Sequence, residues 1–146
     1  MKTAIFPGSF DPFTIGHYDI VCRALTMFDH IVIGIGSNSV KSPLFSEQER
    51  LDTIQKAFEN EPHVEVELYN CLTVDFARKH HAEFILRGVR CVADFEYERN
   101  MAEANKEIGD IETVLLYTRP QYAHISSTLV RDLYAHGKDI SPYLPQ

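Results

Sequence analysis

The sequence predicts an α/β domain in which a five-stranded parallel sheet is doubly wound, with helices packed on both of its faces. Two observations lead to this fold class. Five short apolar runs alternate with five segments of helical character along the 146 residues, and such alternation is typical of parallel sheets with right-handed crossovers. In addition, no internal repeat or linker divides the chain, so we expect a single domain over residues 1–146.

The predicted strands are recognised by β-branched or alternating apolar residues. The run HIVIGIG is continuously apolar, as expected for a strand that is buried on both faces. The run HVEVEL instead alternates between apolar and polar residues. With the other apolar runs, these segments predict strands at residues 2–6, 30–36, 63–68, 83–88 and 113–117.

The predicted helices show apolar residues at helical spacing or clear start and stop signals. Ser46 and Glu49 have the spacing of a capping box, which marks the start of a helix. Gly137 is a typical stop signal for the last helix. We expect helices at residues 17–28, 47–58, 72–81, 92–108 and 126–137.

Charge and composition narrow the functional class. The formal net charge of −7 argues against nucleic acid or an anionic membrane as a partner, because both favour a basic surface. No apolar run approaches the ~20 residues that a membrane-spanning helix needs. The cysteines Cys22, Cys71 and Cys91 are odd in number and far apart, which indicates free thiols, buried as small hydrophobic side chains, in a reducing compartment. We therefore expect a cytoplasmic protein.

Two stretches that follow predicted strands indicate anion binding. The stretch FPGSFDPFTIGH, residues 6–17, leaves the first strand through turn-forming residues and presents His17 at the start of a helix. Helix N-termini favour phosphate because their N–H groups are unpaired and the helix dipole is positive there. The stretch ISSTLVR, residues 125–131, opens the last helix with three hydroxyl side chains and adds Arg131. From the residues alone, a plain turn and a simple N-cap remain open alternatives.

Together the two stretches resemble the paired signatures of the nucleotidyltransferase superfamily, whose members share a Rossmann-like fold. Thr14 stands where many members carry a second histidine, so His17 alone supplies an imidazole. The resemblance narrows to the phosphopantetheine adenylyltransferase family, and RGVRCVADFEYE (residues 87–98) is its most specific segment. The segments that match in order and spacing cover nearly the whole chain: GSFDPFTIGH, KSPLF, LTVDFA, RGVRCVADFEYE and ISSTLVR.

This resemblance implies an activity and a set of site residues. The family transfers the adenylyl group of ATP to 4′-phosphopantetheine, which gives dephospho-CoA and pyrophosphate in the penultimate step of coenzyme A synthesis. His17 is expected to stabilise the transition state, with Lys41 and Arg90 as further catalytic cations. Phosphopantetheine is expected to contact Ser9, Lys41, Leu72, Thr73 and Arg87. ATP is expected to contact Ser9, Phe10, His17, Gly88, Val89, Arg90, Glu98, Tyr122, Ala123, His124, Ile125, Ser126, Ser127 and Thr128.

The resemblance also implies partners and leaves two alternatives open. Mg²⁺ is expected with the triphosphate, held mainly by ATP oxygens and water, because no dedicated carboxylate cage is evident. A homohexamer is implied, and feedback inhibition by coenzyme A is raised as a question. One alternative is another small nucleotidyltransferase, such as a cytidylyltransferase or a nicotinate-mononucleotide adenylyltransferase, which would lack RGVRCVADFEYE. The other is a non-catalytic ATP-binding module, which would not need His17, Lys41 and both arginines, Arg87 and Arg90.

Overall fold

The computed structural model describes residues 1–37 and 41–146. Its strands are β1 (Thr3–Gly8), β2 (His30–Gly36), β3 (Val64–Tyr69), β4 (Phe84–Val89) and β5 (Glu112–Tyr117). They form a five-stranded sheet in the order β3-β2-β1-β4-β5, and every neighbouring pair is parallel. All five predicted strands are therefore confirmed, each within a residue or two of its expected bounds.

The helices also occur where the sequence predicts them. They are α1 (Ile15–Ala24), α2 (Glu47–Ala57), α3 (Thr73–Lys79), α4 (Val92–Gly109) and α5 (Ser127–Ala135). Short 3₁₀ turns add Pro120–Tyr122 and Ser141–Tyr143. The largest difference is in α1, which begins earlier and ends earlier than expected, because Thr14 is its N-cap and the chain turns after Ala24.

Successive residues of the central strand face opposite sides of the sheet, as the β pleat requires. Phe6 of β1 packs on the side where α1 contributes Ile20 and α2 contributes Ile54. Its neighbour Ile5 packs on the other side, against Phe76 of α3. Helix α4 lies against α3, β4 and β5. The structure thus confirms a Rossmann-like, doubly wound sheet with helices on both faces.

The strand order places a crevice at the carboxyl ends of the two neighbouring strands β1 and β4. The chain moves outwards from β1 through β2 to β3, and then returns to place β4 on the other side of β1. Loops that leave the carboxyl ends of β1 and β4 therefore diverge to opposite faces, and ligands of doubly wound sheets bind in the gap between them. The segments that follow these two strands carry the two most distinctive motifs of the sequence.

The cysteines differ from the prediction. Cys22, Cys71 and Cys91 are free thiols, as expected, but all three are exposed, so the prediction that they are buried is wrong. Cys22 lies on the outer side of α1, whose inner side is formed by Ile20, Val21 and Ala24. The other two lie in the segments that precede α3 and α4. Separately, no helix among the described residues combines the length and the apolar character that a membrane crossing requires.

Candidate active site

Two reciprocal hydrogen bonds hold the ring of His17 in the first turn of α1. The backbone N–H of Thr14 donates to Nδ1 of His17 over 3.0 Å, and the His17 backbone N–H donates to the Thr14 hydroxyl over 3.3 Å. This arrangement is a capping box in which histidine takes the place of the usual glutamate or glutamine. Because Nδ1 accepts, the neutral ring carries its proton on Nε2. Within the described part of the chain no group accepts from Nε2, which leaves this N–H for a ligand.

The surroundings of His17 keep its ring uncharged. Phenylalanine rings contact the imidazole on several sides, with centroid distances of 5.1 to 6.2 Å: Phe10, Phe13 and Phe6. Burial, with the positive charges of Arg87 and Arg90, lowers the pKa of His17 to about 3. At neutral pH the ring is therefore a hydrogen-bond donor without a positive charge.

Phe10 shapes the turn that leads to this histidine. Its backbone is left-handed, with φ of 50°, and its ring is buried beside His17. The ring also lies so close to the chain that a Cβ on Gly8 would come within 2.8 Å of the Phe10 ring. Glycine is therefore needed at the end of β1. The Phe10 ring is thus used in packing, and the ATP contact predicted for this residue stays a prediction.

Arg87, near the end of β4, is fixed by groups from two other elements, α4 and β1. Its Nε and Nη2 donate to both carboxylate oxygens of Glu98, with the Nη2 bond to Oε2 at 2.7 Å, and its Nη1 donates to the carbonyl of Pro7. Glu98, on α4, is only 6% exposed. In the structure the carboxylate of Glu98 orients the guanidinium of Arg87. The nucleotide contact that the sequence interpretation assigned to Glu98 stays a prediction. Bidentate pairing of this kind fixes both the position and the plane of the arginine.

Arg90 is held by a similar but more exposed pair. Its Nε donates to Asp94 Oδ2 over 3.1 Å, and its backbone N–H donates to the same oxygen over 3.0 Å. Asp94 lies in the first turn of α4, and its role was not predicted from the sequence. The acidic side chain thus places Arg90 at the mouth of the crevice.

A cavity of about 400 Å³ lies between these groups. It is formed by the turn after β1, the start of α1, the end of β4 and the start of α5. His17, Arg87 and Arg90 therefore face the same cavity, as the sequence interpretation requires. The predicted site residues on its lining are Ser9, Phe10, His17, Arg87, Gly88, Arg90, Glu98, Ile125, Ser126, Ser127 and Thr128.

A second cavity, of about 290 Å³, adjoins the first. Ser9, Arg87 and Glu98 line both cavities, so the Arg87–Glu98 ion pair forms part of the boundary between them. Thr73, predicted on the phosphopantetheine side, lines only this second cavity, and its hydroxyl lies 3.1 Å from that of Tyr69. Of the five residues that the sequence interpretation assigned to phosphopantetheine, Thr73 thus lines only the second cavity and Ser9 and Arg87 line both, whereas Lys41 and Leu72 line neither.

The start of α5 braces the turn after β1 as well as lining the first cavity. Ser126 caps the helix, accepting from the Leu129 backbone N–H over 3.0 Å. Ser127 donates to the carbonyl of Pro12 over 2.8 Å, and Arg131 donates to the carbonyl of Asp11 over 2.8 Å. Two residues of the hydroxyl run, Ser126 and Ser127, therefore stabilise the fold around the cavity as well as lining it.

Several predicted site residues lie outside the lining of both cavities. Lys41 is exposed, and Leu72 is 62% exposed. Val89 is buried with its side chain in the core. The remaining three lie in and just after the 3₁₀ turn: Tyr122, Ala123 and His124. The structure alone does not bring these six residues to the site, and their roles stay predictions.

Two buried charged residues beside the site were missed by the sequence interpretation. Asp11 has no exposed surface, and Arg50 is 4% exposed. A signal was present for Arg50, since it lies one helical turn before Ile54 on the buried side of α2. No comparable signal marks Asp11, because an aspartate in a turn is ordinary.

The acidic groups of the site do not form a metal cage. Among the residues that the structure describes, no group of three or more His, Cys, Asp or Glu side chains is arranged to hold a metal ion. The carboxylates that line the first cavity, Asp94 and Glu98, are each paired with an arginine.

Comparison with known proteins agrees with this geometry. A family model described as cytidylyltransferase-like matches residues 5–133. Phosphopantetheine adenylyltransferases from Phocaeicola vulgatus and Bacteroides fragilis are 53% and 51% identical over 146 residues, which cover 100% of this chain and 97% of each relative. A bifunctional NMN adenylyltransferase/ADP ribose pyrophosphatase from Francisella tularensis matches with a TM-score of 0.74 at 17% identity, over 99% of this chain and 45% of that chain, a likeness of fold alone. This chain therefore belongs to the phosphopantetheine adenylyltransferase family, within the cytidylyltransferase-like proteins.

Proposed function

We propose that this chain transfers the adenylyl group of ATP to 4′-phosphopantetheine and releases dephospho-CoA and pyrophosphate, the penultimate step of coenzyme A biosynthesis. Membership of the family supports this choice of substrates over the other small nucleotidyltransferases and over a non-catalytic ATP-binding module. One observation carries the mechanism: His17, Arg87 and Arg90 face one cavity that adjoins a second. Two adjoining cavities suit a reaction between two substrates.

The reaction requires alignment more than proton transfer. A phosphate monoester has its second pKa near ~6, so the acceptor oxygen is largely ionised at neutral pH and attacks the α-phosphorus without a general base. His17 is suited to donate and not to accept, because Nδ1 is occupied by the Thr14 N–H and the proton is on Nε2. A bond from Nε2–H to an α-phosphate oxygen strengthens as negative charge develops in the transition state, which lowers the barrier.

The charges around the cavity favour anionic substrates in an otherwise acidic protein. Three arginines and two carboxylates line the first cavity, a local balance of +1 in a chain of net charge −7. Arg87 stands at the boundary between the cavities, where it can contact the acceptor phosphate, and Arg90 lies on the ATP side. Fixed, preorganised cations need little reorganisation when the phosphates come into line.

Lys41 and Mg²⁺ complete the proposed mechanism. We assign Lys41 to the two phosphates, which its ammonium group would bridge as they approach one another. Mg²⁺ would enter with the triphosphate, with phosphate oxygens and water as most of its ligands, because the site carboxylates are paired with arginines. Its contribution would be to neutralise charge on the departing pyrophosphate.

The proposal also covers the oligomeric state of the chain, its location in the cell and its inhibition. We propose that residues 1–146 act as one catalytic domain in the cytoplasm, and that the chain assembles as a hexamer. Large apolar side chains on α4 support a subunit contact, since Val92 is 74% exposed, Tyr97 61% and Ile108 61%. Coenzyme A, which is the product dephospho-CoA with one more phosphate, would inhibit the enzyme if it filled both cavities.

The activity is tested by mixing the purified chain with ATP, Mg²⁺ and 4′-phosphopantetheine and measuring pyrophosphate release. Nicotinate mononucleotide and glycerol phosphate serve as competing acceptors, and the His17→Gln variant controls for contaminating enzymes. We expect release with 4′-phosphopantetheine and little with the other acceptors. Release that depends on nicotinate mononucleotide, or that is equal without any acceptor, would contradict the proposed function.

A further inference from the structure

Asp11 is a fully buried carboxylate that binds the segment just after Lys41. Its Oδ2 accepts from the backbone N–H of Leu44 over 2.8 Å, and its Oδ1 accepts from the backbone N–H of Phe45 over 2.9 Å. Within the described residues no lysine or arginine side chain forms an ion pair with it. Burial of a carboxylate without a charged partner is unfavourable unless its oxygens are hydrogen-bonded. These two backbone hydrogen bonds therefore offset the cost of burying Asp11.

Arg50 also links the turn after β1 to residues 44 and 45, but it does so by donating to backbone carbonyls. Its Nη1 donates to the carbonyl of Ser9 over 2.7 Å, and its Nε donates to the carbonyl of Phe45 over 3.2 Å. Asp11 thus holds the backbone N–H groups of residues 44 and 45, while Arg50 holds the carbonyl of residue 45 and the turn after β1. Both side chains are buried, so water competes little for these bonds.

The segment is also packed against the rest of the site. The Phe45 ring lies 5.8 Å from the Tyr134 ring of α5, and it belongs to the apolar cluster around Ile125. Since Arg131 of α5 donates to the carbonyl of Asp11, the turn after β1, residues 44–45 and α5 form one connected unit around the cavity.

Lys41 is tied closely to this unit. It precedes Leu44 by three residues, so the two Cα atoms can be at most about 11 Å apart. Pro43 lies between them and removes freedom, because its own φ is fixed and the backbone of Ser42 is restricted as well. The anchor at residue 44 therefore sets the region that the Lys41 ammonium group can reach.

We propose that Asp11 and Arg50 are positioning residues, which place the Lys41 side chain by anchoring residues 44 and 45 to the turn that precedes His17. The inference rests on the proposed function, in which Lys41 bridges the two phosphates. It assigns Asp11 an effect on the rate through Lys41 and not through contact with substrate. Small displacements matter in such a reaction, since a shift of about 1 Å in a catalytic group can lower the rate ~100-fold.

A double-mutant cycle on the intact chain tests the proposal. Asp11→Asn removes one acceptor, and it is expected to lower kcat roughly 10-fold while the KM for ATP changes less than about 2-fold. In the Lys41→Ala background the same substitution is expected to change kcat less than about 2-fold, because the group that Asp11 places is already gone. Arg50→Lys, which keeps the charge and loses the planar fork, is expected to behave in the same way.

Asp29→Asn is the matched control. Asp29 also accepts a backbone N–H, from Lys2 over 2.7 Å, just before the amino ends of β1 and β2 and outside both cavities. This substitution is expected to leave kcat unchanged in both the wild-type and the Lys41→Ala background. Circular dichroism and thermal unfolding establish that each variant is folded before its kinetics are compared.

The outcomes separate this inference from the proposed function. If Lys41→Ala is impaired but Asp11→Asn or Arg50→Lys lowers kcat by equal factors in both backgrounds, the positioning role is overturned and the function stands. If Lys41→Ala has the wild-type kcat, the positioning role and the assignment of Lys41 to the phosphates are overturned, while the adenylyl transfer itself stands. If the wild type is inactive, the proposed function is overturned and the inference falls with it. Amide exchange in the wild type decides even if both variants unfold: Leu44 and Phe45 are expected to be protected at least about 100-fold, and unprotected exchange overturns the proposal.

Discussion

The stability of the fold in acid is expected to depend on His17. Burial and the charges of Arg87 and Arg90 lower the pKa of this imidazole from 6.5 to about 3 in the folded chain. Between these two values the unfolded chain binds one more proton than the folded chain, so the free energy of unfolding falls as the pH falls. The stability associated with the neutral ring is fully present above pH 6.5 and is lost towards pH 3, by about 1.4 kcal/mol for each pH unit.

The His17→Gln variant isolates this effect. Glutamine at this position can accept the Thr14 backbone N–H as histidine does, so the helix cap is kept while the titrating group is removed. Urea unfolding is measured at pH 7, 6, 5 and 4 for both proteins. From pH 7 to pH 4 the wild type is expected to lose about 3 kcal/mol more than the variant.

A histidine control tests whether the effect belongs to the site. The side chain of His63 is exposed immediately before β3 and lines neither cavity, so His63→Gln serves as the control for replacing a histidine outside the site. Parallel curves for the wild type and His17→Gln would show that the folded protein protonates this ring near its ordinary pKa. That result would refute the reasoning about its burial and its role as a neutral donor.

Three further predictions concern the site. His17→Gln is expected to lower kcat about 100- to 1,000-fold and to change the Kd of ATP less than about 3-fold. Pyrophosphate release measures kcat and calorimetry measures Kd. If kcat and the affinity for ATP fell by the same factor, the donor role would be contradicted. Glu98→Gln is expected to lower the free energy of unfolding in urea by about 1–3 kcal/mol, because it leaves the half-buried guanidinium of Arg87 poorly paired. The control Glu103→Gln, in an exposed ion pair, is expected to lower it by less than about 0.5 kcal/mol. Gly8→Ala is expected to cost about 1–3 kcal/mol and to lower kcat, since the new methyl group would displace the Phe10 ring; wild-type values for both would show that the turn adapts.

Most of the fold could be predicted because its signals are local. The β-branched run in β2 and the capping box at the start of α2 each specify one element without reference to distant residues. Alternation of strands and helices then restricts the sheet to parallel order. The start of α1 was less predictable, because the partner that completes its cap is a histidine, which rarely has that role.

The site could be predicted only in part, because its distinctive feature is pairing between distant residues. The loops after β1 and β4 identified His17 and the two arginines, and the structure brings them to one cavity. The pairing of Arg87 with Glu98, 11 residues away, depends on how α4 turns back over β4. No spacing rule in the sequence predicts that turn. The same limit concealed Asp11, whose partners lie 33 and 34 residues further along the chain.

The exposed cysteines show a different limit. Residue type gives only an average tendency to be buried, and a small side chain can lie on either side of a helix. For Cys22 the apolar neighbours Ile20, Val21 and Ala24 already fill the inner face of α1. The helical position of a residue is therefore a better guide to its burial than its type.

The protonation of the His17 ring is the feature on which the proposed mechanism depends most, and nitrogen NMR of the histidine-labelled protein measures it directly. His17→Gln identifies the resonances. We predict a proton on Nε2 and none on Nδ1 at pH 7, with no titration between pH 8 and pH 5. A ring that titrates near its ordinary value of 6.5, or that carries its proton on Nδ1, would contradict the assignment of this side chain as a neutral donor to the transferred phosphate.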